Sequence, residues 1–139
     1  MKKASRFKRR YPYLVITGIL AALTVFTCLA ACVEPTIKVG YAGSNIGNKI
    51  NASYQLFTGT ETKTIPGEVG KSIVIEYSSV VEKGELKMLI YDPDMNFVAD
   101  LEANTTGTRE IVFERDGNYK LEITGENTKG SFDVRWESG

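Results

Sequence analysis

Beyond residue 50, apolar side chains recur at every second position. Ile73, Ile75 and Tyr77 alternate with more polar neighbours. So do Leu86, Met88 and Ile90, then Phe97, Ala99 and Leu101, Ile111 and Phe113, Tyr119, Leu121 and Ile123, and finally Phe132, Val134 and Trp136. A period of two sends one set of side chains to a buried sheet face and the other to water. The last run is the cleanest, with Asp133, Arg135 and Glu137 in the outward phase. Turn residues separate the runs at Pro66-Gly67, Lys83-Gly84, Asp92-Pro93-Asp94, Asn104 to Gly107, Asp116-Gly117 and Gly125 to Gly130. The pattern predicts strands over 51–58, 61–65, 71–80, 85–91, 96–102, 108–115, 118–124 and 130–137, and no sustained 3.6-residue stripe that would mark a helix. About eight short strands, each with one apolar face, cannot all bury that face in one flat sheet. The expectation is therefore an all-β, single antiparallel β-sandwich of jelly-roll or immunoglobulin-like type, its core made of the inward set with Phe57 and Ile65 added.

The first 49 residues follow other rules. Lys2, Lys3, Arg6, Lys8, Arg9 and Arg10 form a cationic head, no charged side chain occurs between Tyr11 and Val33, and the run closes on Leu29-Ala30-Ala31-Cys32. A cationic head followed by an apolar run and small residues is the layout of an export signal, here an N-terminal helical signal segment. The four-residue box resembles the lipobox of bacterial lipoproteins. That resemblance implies cleavage before Cys32, diacylglycerol on its thiol, acylation such as palmitate on the new amino terminus, and an extracytoplasmic domain held by lipid to the bacterial cell membrane. Cys28 follows Phe26 and Thr27, which are not the small pair the box requires. The alternative for the same run is an uncleaved transmembrane anchor of about 20 residues. The lipid reading divides the chain into a signal peptide at 1–31, a lipid-anchored tether at 32–49 and a β-sandwich domain at 50–139. Within the tether, glycine and asparagine break any period, and a short edge strand through Ile37, Val39 and Tyr41 is the competing reading.

Removing the leader changes the electrostatic picture. The whole chain is formally neutral, with 17 basic and 17 acidic residues, but six of the basic ones and none of the acidic ones lie in the leader. The mature chain carries about six net negative charges, which argues against nucleic acid as a partner. It also holds no histidine, and both cysteines, Cys28 and Cys32, belong to the leader region. A disulfide in the domain, the commonest general base and the commonest transition-metal ligand are thereby excluded.

Candidate chemistry is sparse. Asp92-Pro93-Asp94-Met95-Asn96 copies the opening of a calcium loop, with Asp92, Asp94 and Asn96 as weak metal candidates. The positions that should be glycine and glutamate are Phe97 and Ala103, so a proline-containing turn is the preferred reading, with Asp100 or Glu102 left to complete a site of another kind. Tyr119, Phe132 and Trp136 fall in phase with aliphatic residues and belong to the core; Tyr54, Tyr77 and Tyr91 are open on this point, and Tyr41 is an exposure candidate. Ser78 and Ser79 have no histidine to activate them, and no spacing brings two carboxylates together. Asn51-Ala52-Ser53 and Asn104-Thr105-Thr106 match a glycosylation pattern that a bacterial-type leader makes idle.

The domain also resembles small extracytoplasmic accessory domains attached to secreted enzymes and envelope complexes, on its length and on a Gly-x-Tyr hairpin ending in Gly130-Ser131-Phe132-Asp133-Val134-Arg135-Trp136. The expected function is a membrane-anchored, non-catalytic module for an unknown protein or glycan, with no cofactor beyond the lipid on Cys32. The alternatives are an envelope enzyme, or a calcium-responsive domain using the 92–96 turn.

Overall fold

The computed structural model describes residues 35–139, so the signal segment and Cys32 lie outside the described residues. Seven strands form one antiparallel sheet: β1 (Ile37–Val39), β2 (Ala42–Ile46), β3 (Lys49–Gly67), β4 (Ser72–Tyr91), β5 (Phe97–Leu101), β6 (Thr106–Val112) and β7 (Gly117–Ser138). No helix occurs among the described residues.

Three strands are very long. At about 3.3 Å per residue a straight strand of 22 residues would span about 70 Å, whereas a domain of this size has a radius of gyration near about 13 Å. The strands therefore bend. Pairing of β3 with β7 slips between Tyr54 and Gly59, and pairing of β4 with β7 slips between Val81 and Glu85. These irregularities lie side by side, because Phe57 pairs with Thr128 and Lys83 with Lys129. A line of bulges crossing neighbouring strands folds a sheet over on itself. Two layers result. In the first, β2, β3, β7, β4 and β6 run side by side through the register rows near Asn51, Asp133 and Ser78; in the second, β3, β7, β4 and β5 do so near Lys63, Leu121 and Ile90.

Glycine makes the bend possible at two places in particular. Gly130 has φ 150°, and a Cβ there would lie 1.8 Å from the Val80 carbonyl oxygen; Gly84 has φ 76°, and its Cβ would lie 2.3 Å from the Asn127 oxygen. Only a residue without a side chain fits either position. The Lys83-Gly84 and Gly125 to Gly130 signals, expected as chain reversals, are bends inside continuous strands. Runs expected as separate strands are consequently joined: 51–58 with 61–65, 71–80 with 85–91, and 118–124 with 130–137. The total is seven strands rather than about eight.

The inward side chains of both layers enter one core, which includes Ile50, Ile75, Val134 and Trp136 from the first layer and Ile65, Met88, Ile90 and Leu121 from the second. Tyr119, Phe132 and Trp136 are buried there, as their phase indicates. Phe97 departs from the expected core: it is 62% exposed. Ile90 pairs with Ala99 but Tyr91 pairs with Phe97, so Val98 is an extra residue and the bulge turns Phe97 to the outside. The tether expected over 32–49 is also revised. Ile37 to Val39 and Ala42 to Ile46 pair with β3 as two short strands, so an edge strand forms through Ile37 and Val39 but ends before Tyr41, and Lys49 already belongs to β3. Tyr41 between them is half-buried and stacks on Tyr54, with ring centroids 6.1 Å apart.

Candidate functional site

The Asp92 turn links β4 to β5. Asp92 Oδ1 accepts the backbone N–H groups of Asp94 and Asn96, both at 2.9 Å, and the Asn96 side-chain amide donates to Oδ2 at 3.0 Å. Arg115 Nε stands 3.7 Å from Oδ2, and the same guanidinium pairs with Asp94. The Asn96 amide first, then the two backbone N–H groups and Arg115, hold the Asp92 carboxyl below the usual carboxylate range against the opposing effect of burial. A calcium ion needs a shell of oxygens, whereas Asp92 is surrounded by N–H donors and a cation. The chemistry of this donor set is that of a hydrogen-bonded turn. Among the described residues no group of three or more His, Cys, Asp or Glu side chains is placed to hold a metal. Asp100, on β5 opposite Leu89, and Glu102 both face solvent.

A second buried knot lies at the bend. Tyr54 packs against Phe57 and Phe132, with centroid separations of 5.3 and 6.1 Å. The hydroxyls of Tyr54 and Thr128 are buried without a well-formed hydrogen bond; burial raises the Tyr54 pKa, and the neighbouring Thr128 hydroxyl offsets part of that rise. Tyr41 covers this cluster with the Lys38 ammonium 4.5 Å above its ring, and burial together with the Glu61 carboxylate pushes the Tyr41 phenol up to about 12. These groups pack an open side of the sandwich and show no nucleophile paired with a base.

The outward face of the five-stranded layer is different in kind. One register row crosses all five strands as Ser44, Asn51, Asp133, Ser78 and Thr106, and the next runs Ala42, Ser53, Ser131 and Val80. Nearly every member is short, so the two rows form the floor of a trough lying across the strands. Four interstrand steps of about 4.8 Å make it about 19 Å long. Two hollows open along it: one of about 350 Å³ beside Ser78, Thr106 and Asp133, and one of about 290 Å³ beside Ser53, Val80 and Ser131. Longer side chains stand at the rims. From one rim Lys49 reaches Asp133 on the floor at 2.8 Å, and on the same rim Arg135 Nε donates to Glu76 at 2.7 Å, which raises the Arg135 pKa above its ordinary value; on the other, Lys129 pairs with Glu82 at 3.0 Å. Three cations thus meet three carboxylates, and the trough is electrically balanced.

Alternation explains why the floor is polar, because its residues are the outward partners of Ile50, Ala52, Phe132, Val134 and the inward-facing Ser79. Ser79 accepts the Asn104 backbone N–H at 2.8 Å inside the fold, while its neighbour Ser78 faces the trough. Sequence reasoning considered Ser78 only as a nucleophile and assigned no role to Asn51, Ser53, Ser131 or Asp133 as a group. The available signal was the coincidence of short polar residues in the outward phase of several strands, and reading it requires the strand order.

No family model and no curated protein sequence matches the chain. Among solved structures it is similar to the secreted serine protease VesC from Vibrio cholerae, with TM-score 0.54 and 11% identity over 85% of this chain but 27% of that one. The likeness concerns fold, and the chain spans about a quarter of that protease. Lower similarities are to PliG of Aeromonas hydrophila, a periplasmic inhibitor of g-type lysozyme, with TM-score 0.45 and 12% identity over 70% of this chain and 89% of that one. A carbohydrate-binding module from Cellvibrio mixtus lichenase 5A, in complex with cellotriose, gives TM-score 0.41 and 14% identity over 76% of this chain and 91% of that one.

Proposed function

We propose that this protein is a bacterial lipoprotein: Cys32 carries diacylglycerol, and the β body is an extracytoplasmic module that binds a ligand at the membrane surface without transforming it. The binding half of this reading is carried by the trough, two open hollows along rows of short polar side chains, whose carboxylates, Asp133 and Glu76, are spent in ion pairs with Lys49 and Arg135. The anchoring half rests on the box Leu29-Ala30-Ala31-Cys32. The first strand of the described residues begins at Ile37, five positions after Cys32. Five residues of chain reach at most about 18 Å, so the body works close to the bilayer.

Mass spectrometry of the mature amino-terminal peptide tests the anchor. The expected species begins at Cys32 with a diacylglyceryl thioether, and Cys32→Ala leaves an unprocessed precursor. An unmodified Cys32 behind an intact leader in the native membrane would overturn it.

A further inference from the structure

We infer that the trough is a site for a neutral, unbranched oligosaccharide of about four sugar units, lying across the strands of the five-stranded layer. This inference rests on the binding-module reading and names its ligand. The first argument is charge. Lys49, Arg135 and Lys129 are each matched by a carboxylate, Asp133, Glu76 and Glu82. An acidic polymer would find no surplus of positive charge there, and a basic one no surplus of negative charge. The second is the floor. Asn51, Ser53, Ser78, Ser131 and Thr106 offer hydroxyl and amide groups that both donate and accept, matching the dual character of sugar hydroxyls. None of these five side chains is engaged in a hydrogen bond to another side chain or to the backbone among the described residues, in contrast to the neighbouring inward Ser79.

The third argument is shape. An extended peptide captured as an added strand needs an open strand edge, and β3, β7 and β4 under the floor are paired on both sides. A protein interface needs a desolvated apolar centre, whereas the large apolar groups at the hollows are scattered: Val80, 52% exposed, on the floor, and the inward-phase Tyr77 and Tyr54 at the edges of one hollow each. What fits is a slender, hydroxyl-rich chain about 19 Å long, measured by the strand spacing. Because neutral hydrogen bonds exchange for bonds to water with little net gain, affinity will be weak, with dissociation constants on the order of 0.1–1 mM.

The test is calorimetric titration of the full lipidated protein in nanodiscs with neutral linear tetrasaccharides built from glucose, mannose, xylose or N-acetylglucosamine. At least one should bind. Ser78→Phe, which fills the floor from an outward position, should weaken binding at least tenfold. Asn51→Ala should weaken it three- to tenfold with an unchanged melting temperature, and so carries the test if Ser78→Phe fails to fold. Phe97→Ala, on the other layer, should leave it unchanged. No binding by any of the four chains, equal binding by Ser78→Phe or Asn51→Ala, or tighter binding of a polyanion or a peptide overturns the inference. Envelope material retained by the parent and lost by Ser78→Phe, with all four tetrasaccharides silent, would discard the ligand class and keep the binding module. Retention of nothing at all would discard both.

Discussion

The two layers of the sandwich are made from the same three long strands, yet their outer faces have little in common. On the five-stranded layer the outward positions are Asn51, Ser53, Ser78, Ser131 and Asp133, and the surface is a trough between balanced ion pairs. On the four-stranded layer one row runs Thr64, Lys120, Tyr91 and Phe97, with the Lys120 ammonium 5.5 Å from the Tyr91 ring and paired with Glu122 at 2.7 Å. Longer side chains cover the backbone there. Inward, both layers meet the same demand, which is to fill one core with Ile, Leu, Val and aromatic residues. The inner faces were constrained by packing and became alike; the outer faces, free of that demand, diverged. Recognition is accordingly to be sought where short polar residues are gathered in excess of what solubility needs.

The sharpest way to break this comparison is to remove the bend that creates two layers. Gly130→Ala would drive a methyl into the Val80 carbonyl at a φ that side chains avoid, and the expected loss exceeds about 4 kcal/mol, a large share of a total of about 5–15. Circular dichroism melting should show a largely unfolded protein. Gly47→Ala serves as the control, because Gly47 also has positive φ but nothing within 4 Å; it should cost about 1–2 kcal/mol. Equal effects would mean that dihedral strain, and not the crossing of β4 and β7, sets the bend.

A second change separates the layers chemically. Asp92 pins the turn at the end of the four-stranded layer, and its carboxyl is held low by the Asn96 amide, two backbone N–H groups and Arg115. A depressed folded-state value contributes stability that is present above the ordinary carboxylate value near about 3.9 and is lost as pH falls through the lower folded value. Asp92→Asn should therefore be less stable than the parent at pH near 7, and the gap should narrow below about pH 4. Urea midpoints at the two pH values measure it; a gap independent of pH would show that the charge of Asp92 does not matter. Ligand binding in the trough should be unaffected at neutral pH.

The smallest expected effect lies on the bend itself. Thr128 is fully buried with an unpaired hydroxyl, so Thr128→Val keeps its shape and removes a desolvated polar group. A gain of about 1 kcal/mol in a urea melt is expected. A loss instead would show that the hydroxyl makes a bond to Tyr54 that matters.

Much of the fold was legible because alternation is a local signal. Ile73 and Ile75, Tyr119 to Ile123 and Phe132 to Trp136 announced their inward phase within a few residues, and they are buried. Phe97 was misassigned because strict alternation cannot register one extra residue, Val98, inserted opposite Tyr91. Lys83-Gly84 and Gly125 to Gly130 misled for a related reason, since glycine with positive φ serves a reversal and a bulge equally well. Which of the two forms depends on what lies alongside, here β7 against β4. The Asp92 turn was readable from Asp-Pro-Asp and Asn96, while its pairing with Arg115 across 23 positions was not.

The chain by itself determined which side chains face inward, the absence of histidine and thiol chemistry from the body, and the basic, uncharged and small-residue layout ahead of Cys32. Only the tertiary structure decided that β7, the last strand, lies between β3 and β4. That placement brings Asn51, Asp133, Ser78 and Thr106, which are up to 82 positions apart in the chain, into one row. The reason is that burial is encoded residue by residue through a period of two, whereas neighbourhood across a sheet is set by long-range pairing, for which a single sequence carries no local mark.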